Sequence, residues 1–167
     1  QLVQQWHQAL AVDGFVMFSC LGPDTARELR AVYAQQGWPA PGHQFTDMHD
    51  WGDMLVQAGF AEPVMDMETI TLTFETAPRL LQELRELGCN LHPQRFGSLR
   101  GKGFLQQLHT AMGKHMRVDS SEGQLALTFE LVYGHAFKPQ PRLSVEAQTN
   151  VSLDAMRAML RRGKEQG

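Results

Sequence analysis

No run of ~18 apolar residues occurs in the 167-residue chain, so it encodes no helix long enough to cross a membrane. Cysteine is scarce. Cys20 and Cys89 are the only two, and their spacing offers neither a disulfide framework nor a metal-ligand set. A reducing, cytoplasmic setting is the expectation that follows. No G-x-G-x-x-G follows a strand-like run, so no nucleotide loop of that kind can be placed. The segment from Gly97 to Gly103 (GSLRGKG) has three residues between its first glycines and Gly after Lys. A phosphate loop needs four, and Ser or Thr after the Lys. Acidic residues are also missing from one long stretch. None occurs between Glu86 and Asp119, where Arg95, Arg100, Lys102, Lys114 and Arg117 lie with His92, His109 and His115.

What is present is globular in composition, with 43% hydrophobic and 20% charged residues, and of single-domain length. The net charge is −3, so the acid-free stretch is a local positive patch in a mildly acidic chain. Such a patch steers an acidic partner; a solvated helix-and-loop surface is the plainer alternative. Nucleic acid fits less well, because the chain as a whole is acidic and few aromatics are interleaved for stacking.

The chain opens without Met and in mid-helix pattern, Val3, Trp6 and Leu10 forming one stripe, which reads as a piece of a longer protein. After Asp13-Gly14, the unbroken run Phe15–Cys20 reads as a central strand buried on both faces. Asp24 or Thr25 caps the next helix, which carries Leu29, Val32 and Tyr33 and stops at Gly37. Trp38 to His43 is a proline-broken loop.

Met48, Trp51, Leu55 and Ala58 then recur at helical spacing, with Thr46 or Asp47 as cap and Gly59 as stop. A strand follows over Val64–Phe74. Ile70, Leu72 and Phe74 alternate with threonines, while Met65 and Met67 sit on the opposite parity. The parity change predicts a bulge near Asp66–Thr69, or else a strand buried on both faces at its start. Pro78 to Gly88 and Phe104 to Arg117 are helical, and Asn90–Gly103 is a loop. Leu125 to Tyr133 is the longest alternating strand. A polar tail follows from Pro139, with Ser152 capping a last short helix.

Several residues carry candidate chemistry. His43, Asp47, His49, Asp50 and Asp53 crowd one segment, and His49 and Asp53 share a helix face, as a metal pair would. A two-His, one-carboxylate set would still need a partner from elsewhere, so an exposed polar face with acids near a helix N-terminus is the favoured reading, and no metal is expected. Ser19, Cys20 and Asp24 lie at the carboxyl end of the first strand, where open α/β sheets place ligands.

The segments GFVMFSCLGPDTARELR, FTDMHDWGDMLVQAGF, the Thr-alternating strand and LALTFELVYGHAFKP together resemble the C-terminal half of the biotin-pathway malonyl-acyl-carrier-protein O-methyltransferases. These are class I S-adenosylmethionine-dependent enzymes. A related group, the complex I assembly factors of the same fold, shares segments around Asp50-Trp51-Gly52 and is the alternative, as a protein-modifying or non-catalytic binding module.

The resemblance implies an α/β fold. Strands near 15–20, 64–74 and 125–137 would be the fifth, sixth and seventh of a Rossmann-like sheet, forming a three-stranded mixed portion with the seventh antiparallel between the others. Residues 1–138 would be half of the methyltransferase domain, 78–117 its helical insertion over the acceptor site, and 139–167 a tail. It implies S-adenosylmethionine for the full-length protein but no cofactor residue in this chain, since the cofactor loop and ribose-binding acid belong to earlier strands. It also makes an acidic acyl carrier protein the partner of Arg95, Arg100, Lys102, Lys114 and Arg117. The edge of the first strand is left open, and a homodimer through it is expected.

Overall fold

In the computed structural model, which describes residues 1–88, 100–117, 123–141 and 154, three strands form one open sheet with helices on both faces. In chain order the elements are α1 (Leu2–Ala9), β1 (Phe15–Leu21), α2 (Arg27–Gln35), α3 (Met48–Gln57) and β2 (Ala61–Phe74). Then come α4 (Ala77–Glu86), α5 (Lys102–His115) and β3 (Leu125–Phe137). β3 lies in the middle, between β1 and β2. Both pairings are antiparallel, so the expected mixed character survives only in that β1 and β2 run parallel to each other across β3.

The register sets two faces. Leu21 opposes Leu131, and Phe74 opposes Leu125, so the odd residues of β3 share a face with odd β1 and even β2 residues. On that face Leu125, Leu127, Phe129 and Phe74 pack against Leu29 and Val32 of α2, Leu80 of α4, and Leu108, Ala111 and Met112 of α5. The opposite face carries a second core, in which Val3, Leu55, Phe60 and Ala136 are buried with Trp6, Val16, Phe18, Trp51 and Met65 around them. α1 and α3 supply the helical side of this core. Trp6 and Trp51 stack nearly parallel with centroids 6.2 Å apart, and Phe18 lies 5.0 Å from Trp51. Gly134 opposes Phe18, and its missing side chain is what lets the ring lie flat on the strand.

Local signals explain most boundaries. Asp47 is the N-cap of α3, its carboxylate accepting the His49 backbone N–H at 2.7 Å, and Gly59 takes φ +95° beyond the helix end. Thr76 caps α4.

Four expectations need correction. β1 is buried on one face only: Val16 and Phe18 pack inward, while Phe15 and Met17 are 56% and 73% exposed. The helices α2, α4 and α5 cover their face only at its other end. β2 has no bulge at Asp66–Thr69; its register runs unbroken from Val64 to Phe74 and shifts instead between Ala61 and Val64, where Glu62 has φ +51°. Nor is β2 buried on both faces at its start, for Val64 and Met67 are exposed on opposite faces. The parity change marks a half-covered edge strand, with Ile70 and Leu72 exposed on one face and Met65 tucked under α3 on the other. Finally, α2 is not capped by Asp24 or Thr25. Ala26 is its N-cap, in the left-handed region at φ +56°, and makes no side-chain cap bond. α4 ends at Glu86, and Leu87 just beyond it is exposed. The short helix expected after Ser152 lies, except for Asp154, outside the described residues.

Candidate functional site

The chain leaving β1 does not break away from the sheet. Beyond the last β1–β3 pair, Gly22 N–H donates to the Glu130 carbonyl at 2.9 Å, and Ala26 N–H donates to the Thr128 carbonyl at 2.7 Å. The Thr25 hydroxyl donates to the Glu130 carbonyl at 3.2 Å and accepts from the Glu130 N–H at 3.1 Å. A side chain thus stands in for a strand residue. The Glu130 carboxylate, on a residue 4% exposed, accepts the Asp24 N–H at 2.6 Å. On the other side of the loop, the Arg30 guanidinium donates to the carbonyls of Pro23 and Thr25.

One helical turn on, Glu28 accepts from both the backbone N–H and the hydroxyl of Thr128. Burial pushes this carboxyl up, but the two Thr128 bonds and the neighbouring Arg27 outweigh it and hold Glu28 below its ordinary range.

This pinned loop walls a cavity of about 360 Å³ at the carboxyl end of β1. Leu21, Ala26, Leu29, Leu84 and Phe129 make it apolar, Thr25 and Arg30 add polar groups, and Pro41 to Phe45 form its outer side. Around the strand end, a second hollow of about 420 Å³ opens on the other face between Cys20, Thr46 and Trp51, and His43 and Phe45 border both. Burial raises the Cys20 thiol, while the Trp51 indole N–H pulls it the other way. The Trp51 Nε1–H contact with that sulfur falls short of a full hydrogen bond. Among the described residues it is the buried side-chain donor without one. A short apolar chain with a polar end fits the first of these cavities, lined by Leu29, Leu84 and Phe129, in size and lining.

The expected site residues are not all brought together. Ser19 and Cys20 point to opposite faces of β1 and cannot act on one ligand from their side chains. The Asp24 carboxylate pairs with Arg27 at 3.0 Å on the surface, and its backbone N–H is the part that faces inward. The His49 ring turns back on Asp47, with Nδ1 2.9 Å from the carboxylate, so the acidic segment acts as a helix cap. Of the basic residues, Arg95 lies outside the described residues. Arg100 is half-buried: its guanidinium sits 4.0 Å over the Phe104 ring and 5.7 Å from the Tyr33 ring. Arg117 donates to the Gly113 carbonyl at 2.9 Å. Lys102 and Lys114 are exposed at the two ends of α5, about 18 Å apart by helical rise. Between them runs a polar groove of Gln106, Gln107 and Thr110, with Gln36, just past the end of α2, on its far side.

Glu130, Glu28 and Arg30 do not stand out in the sequence, and Thr25 does so only as a helix cap. By parity Glu130 falls on the polar side of the alternating strand, away from Leu127, Phe129 and Leu131, so its burial is legible only in the structure.

The chain matches malonyl-(acyl-carrier protein) O-methyltransferases over their C-terminal half. It is 47% identical over 139 residues to the one from Gallionella capsiferriformans, covering 83% of this chain and 47% of that protein. It is 42% identical over 142 residues to the one from Laribacter hongkongensis, covering 84% and 46%. With the Methylovorus sp. protein identity is 41% over 139 residues, covering 83% and 46%. The chain therefore spans about half the length of the curated relatives it matches. Among solved structures, one from Bacillus halodurans C-125 described as a methyltransferase superposes with a TM-score of 0.46 at 16% identity, over 83% of this chain and 57% of that one. No family model matches the chain. The resemblance drawn from the sequence segments is borne out, as is the order that puts the last strand antiparallel between the other two.

Proposed function

We propose that this chain is the acceptor-side half of an S-adenosylmethionine-dependent methyltransferase. Its reaction methylates the free carboxylate of malonyl-acyl carrier protein, as in the making of a biotin precursor. The observation that carries this reading is the match of more than four-fifths of the chain to about half the length of enzymes named for that substrate. In the reaction a carboxylate oxygen forms a bond to the methyl carbon as the carbon–sulfur bond breaks, and the donor leaves as a neutral thioether. The charge of the acyl end is removed, leaving it fit for an apolar cavity.

α5 is the carrier-facing element in this reading. It has no acid along its length, and Lys102 and Lys114 stand at its ends, with Arg95 and Arg117 nearby in sequence. Acyl carrier proteins are acidic, so charge complementarity sets the on-rate and the salt dependence. Arg100 contributes by holding α5 to α2 through Tyr33 and Phe104.

In this reading, which rests on the family resemblance, the donor pocket lies outside this chain, in the half that would precede these strands. The chain alone is expected to be inactive. β1 has no charge, proline or bulge along its free edge, whereas β2 carries Pro63, Asp66 and Glu68 and a register shift. An isolated chain therefore pairs with a second copy through β1; a monomeric mass by light scattering at micromolar concentration would refute this.

The test of the function is a methylation assay with the full-length protein, labelled donor and malonyl-loaded carrier protein. Methyl ester formation is expected. Full-length protein that gives no heat with S-adenosylmethionine by calorimetry, and no ester, would instead favour a non-catalytic binding module.

A further inference from the structure

We propose that Glu130 is a positioning residue for acceptor binding: through the Gly22–Thr25 loop it sets the wall of the cavity at the carboxyl end of β1. The inference rests on the reading of that cavity as the acceptor site. Three polar groups of the loop make four hydrogen bonds with this one residue. Its carbonyl takes the Gly22 N–H at 2.9 Å and the Thr25 hydroxyl at 3.2 Å. Its own N–H goes to that hydroxyl at 3.1 Å, and its carboxylate takes the Asp24 N–H at 2.6 Å. A buried carboxylate spent on one backbone amide is an unusual use of charge, since a neutral acceptor would satisfy the same donor. What the side chain adds is a short, directed acceptor for the Asp24 N–H. It holds an otherwise irregular segment, which leads into a helix whose N-cap adopts the left-handed conformation.

The fit allows little movement. A Cβ on Gly22 would lie 2.6 Å from the Glu130 Cδ and 2.8 Å from its Cγ. Arg30 grips Pro23 and Thr25 from the far side. The loop is therefore clamped between Glu130 and Arg30, and Thr25, Ala26 and Arg30 line the cavity. Shifting the loop shifts the cavity wall while leaving the fold's two cores in place, because Glu130 belongs to neither. Misplacement of a binding wall by an ångström costs on the order of a hundredfold in rate.

The experiment uses the full-length protein with malonyl-loaded carrier, varying donor and acceptor separately. Glu130→Ala is expected to raise the acceptor KM roughly tenfold or more while leaving the donor KM unchanged. Glu130→Gln, whose amide oxygen still accepts from Asp24, keeps most of kcat/KM. Gly22→Ala pushes the loop from the same point and reproduces the Glu130→Ala defect, and the Gly22→Ala/Glu130→Ala pair is no more impaired than Glu130→Ala alone. As a readout independent of activity, the Asp24 amide exchanges slowly with solvent deuterium in the parent and in Glu130→Gln and fast in Glu130→Ala. If Glu130→Ala matches the parent in acceptor KM and Asp24 exchange, the inference is overturned. Equal rises in donor and acceptor KM would also overturn it, marking general damage. A parent enzyme that makes no ester overturns the function instead, and the exchange result then still decides whether Glu130 holds the loop.

Discussion

Replacing Gly134 by Ala tests how the second core is built. Gly134 sits in β3 opposite Phe18, and a Cβ there would come under 3.0 Å from two carbons of the Phe18 ring. Carbon atoms at optimal separation are about 3.5–4.0 Å apart, so the ring must move by the better part of an ångström. It has nowhere to go. Trp6 lies 5.4 Å and Trp51 5.0 Å from it by centroid, and both indoles are fixed against α1 and α3. Overpacking of this kind costs about 1–3 kcal/mol, and a ring pinned on two sides belongs near the upper end. For a chain of this length, about 3 kcal/mol lowers the melting midpoint by roughly 6–12 °C, or the urea midpoint by about 1–2 M. Phe18→Leu in the Gly134→Ala background should recover part of the loss, because the two residues are in contact and their effects do not add. Urea unfolding followed by tryptophan fluorescence reports on the same cluster. A Gly134→Ala midpoint equal to that of the parent, or strictly additive effects in the double variant, would refute this account of the core.

Further expectations follow from other sites. Gly52 and Gly113 lie inside helices, where a Cβ would meet the Met65 Cγ at an ordinary 3.6 Å or nothing at all; each Gly→Ala change should raise stability by about 0.5–1 kcal/mol in the same unfolding assay. Because the Glu28 carboxyl is held below its ordinary value in the fold, its contribution is complete above about pH 4.3 and is lost as the pH falls through the lowered value. Glu28→Gln should therefore flatten the acid limb of a stability-versus-pH curve; an unchanged limb would show that the Thr128 bonds do not carry it. Arg100→Lys keeps the charge but loses the planar stack over Phe104, so it should lower the melting point while carrier affinity changes little. Lys102→Glu with Lys114→Glu should do the opposite, weakening carrier binding at low salt with the melting point held; binding unaltered by the double reversal would remove α5 as the docking element.

Much of the architecture is legible from residues near each other in the chain. The stripe through Val3, Trp6 and Leu10, the Asp47 cap, the Gly59 stop and the alternation after Leu125 depend on interactions within a few residues. They were correctly placed for that reason. The match to one half of a methyltransferase is likewise carried by the order of those segments. Periodicity states that an element has two sides but not which of them is covered. That is why β1 was taken as buried on both faces and β2 as bulged: the deciding fact is how far α1, α3 and the α2–α4–α5 layer reach across the sheet. The loop after β1 depends even more on the tertiary structure. Asp24 and Thr25 have the chemistry of helix caps, yet the Asp24 backbone N–H and the Thr25 hydroxyl are claimed by Glu130, more than a hundred residues away, the Asp24 carboxylate turns to Arg27, and the cap passes to Ala26. Local hydrogen bonds compete on nearly equal terms in an isolated segment, so only the burial of β3's polar groups, which must be paired once water is gone, decides where the loop's donors go.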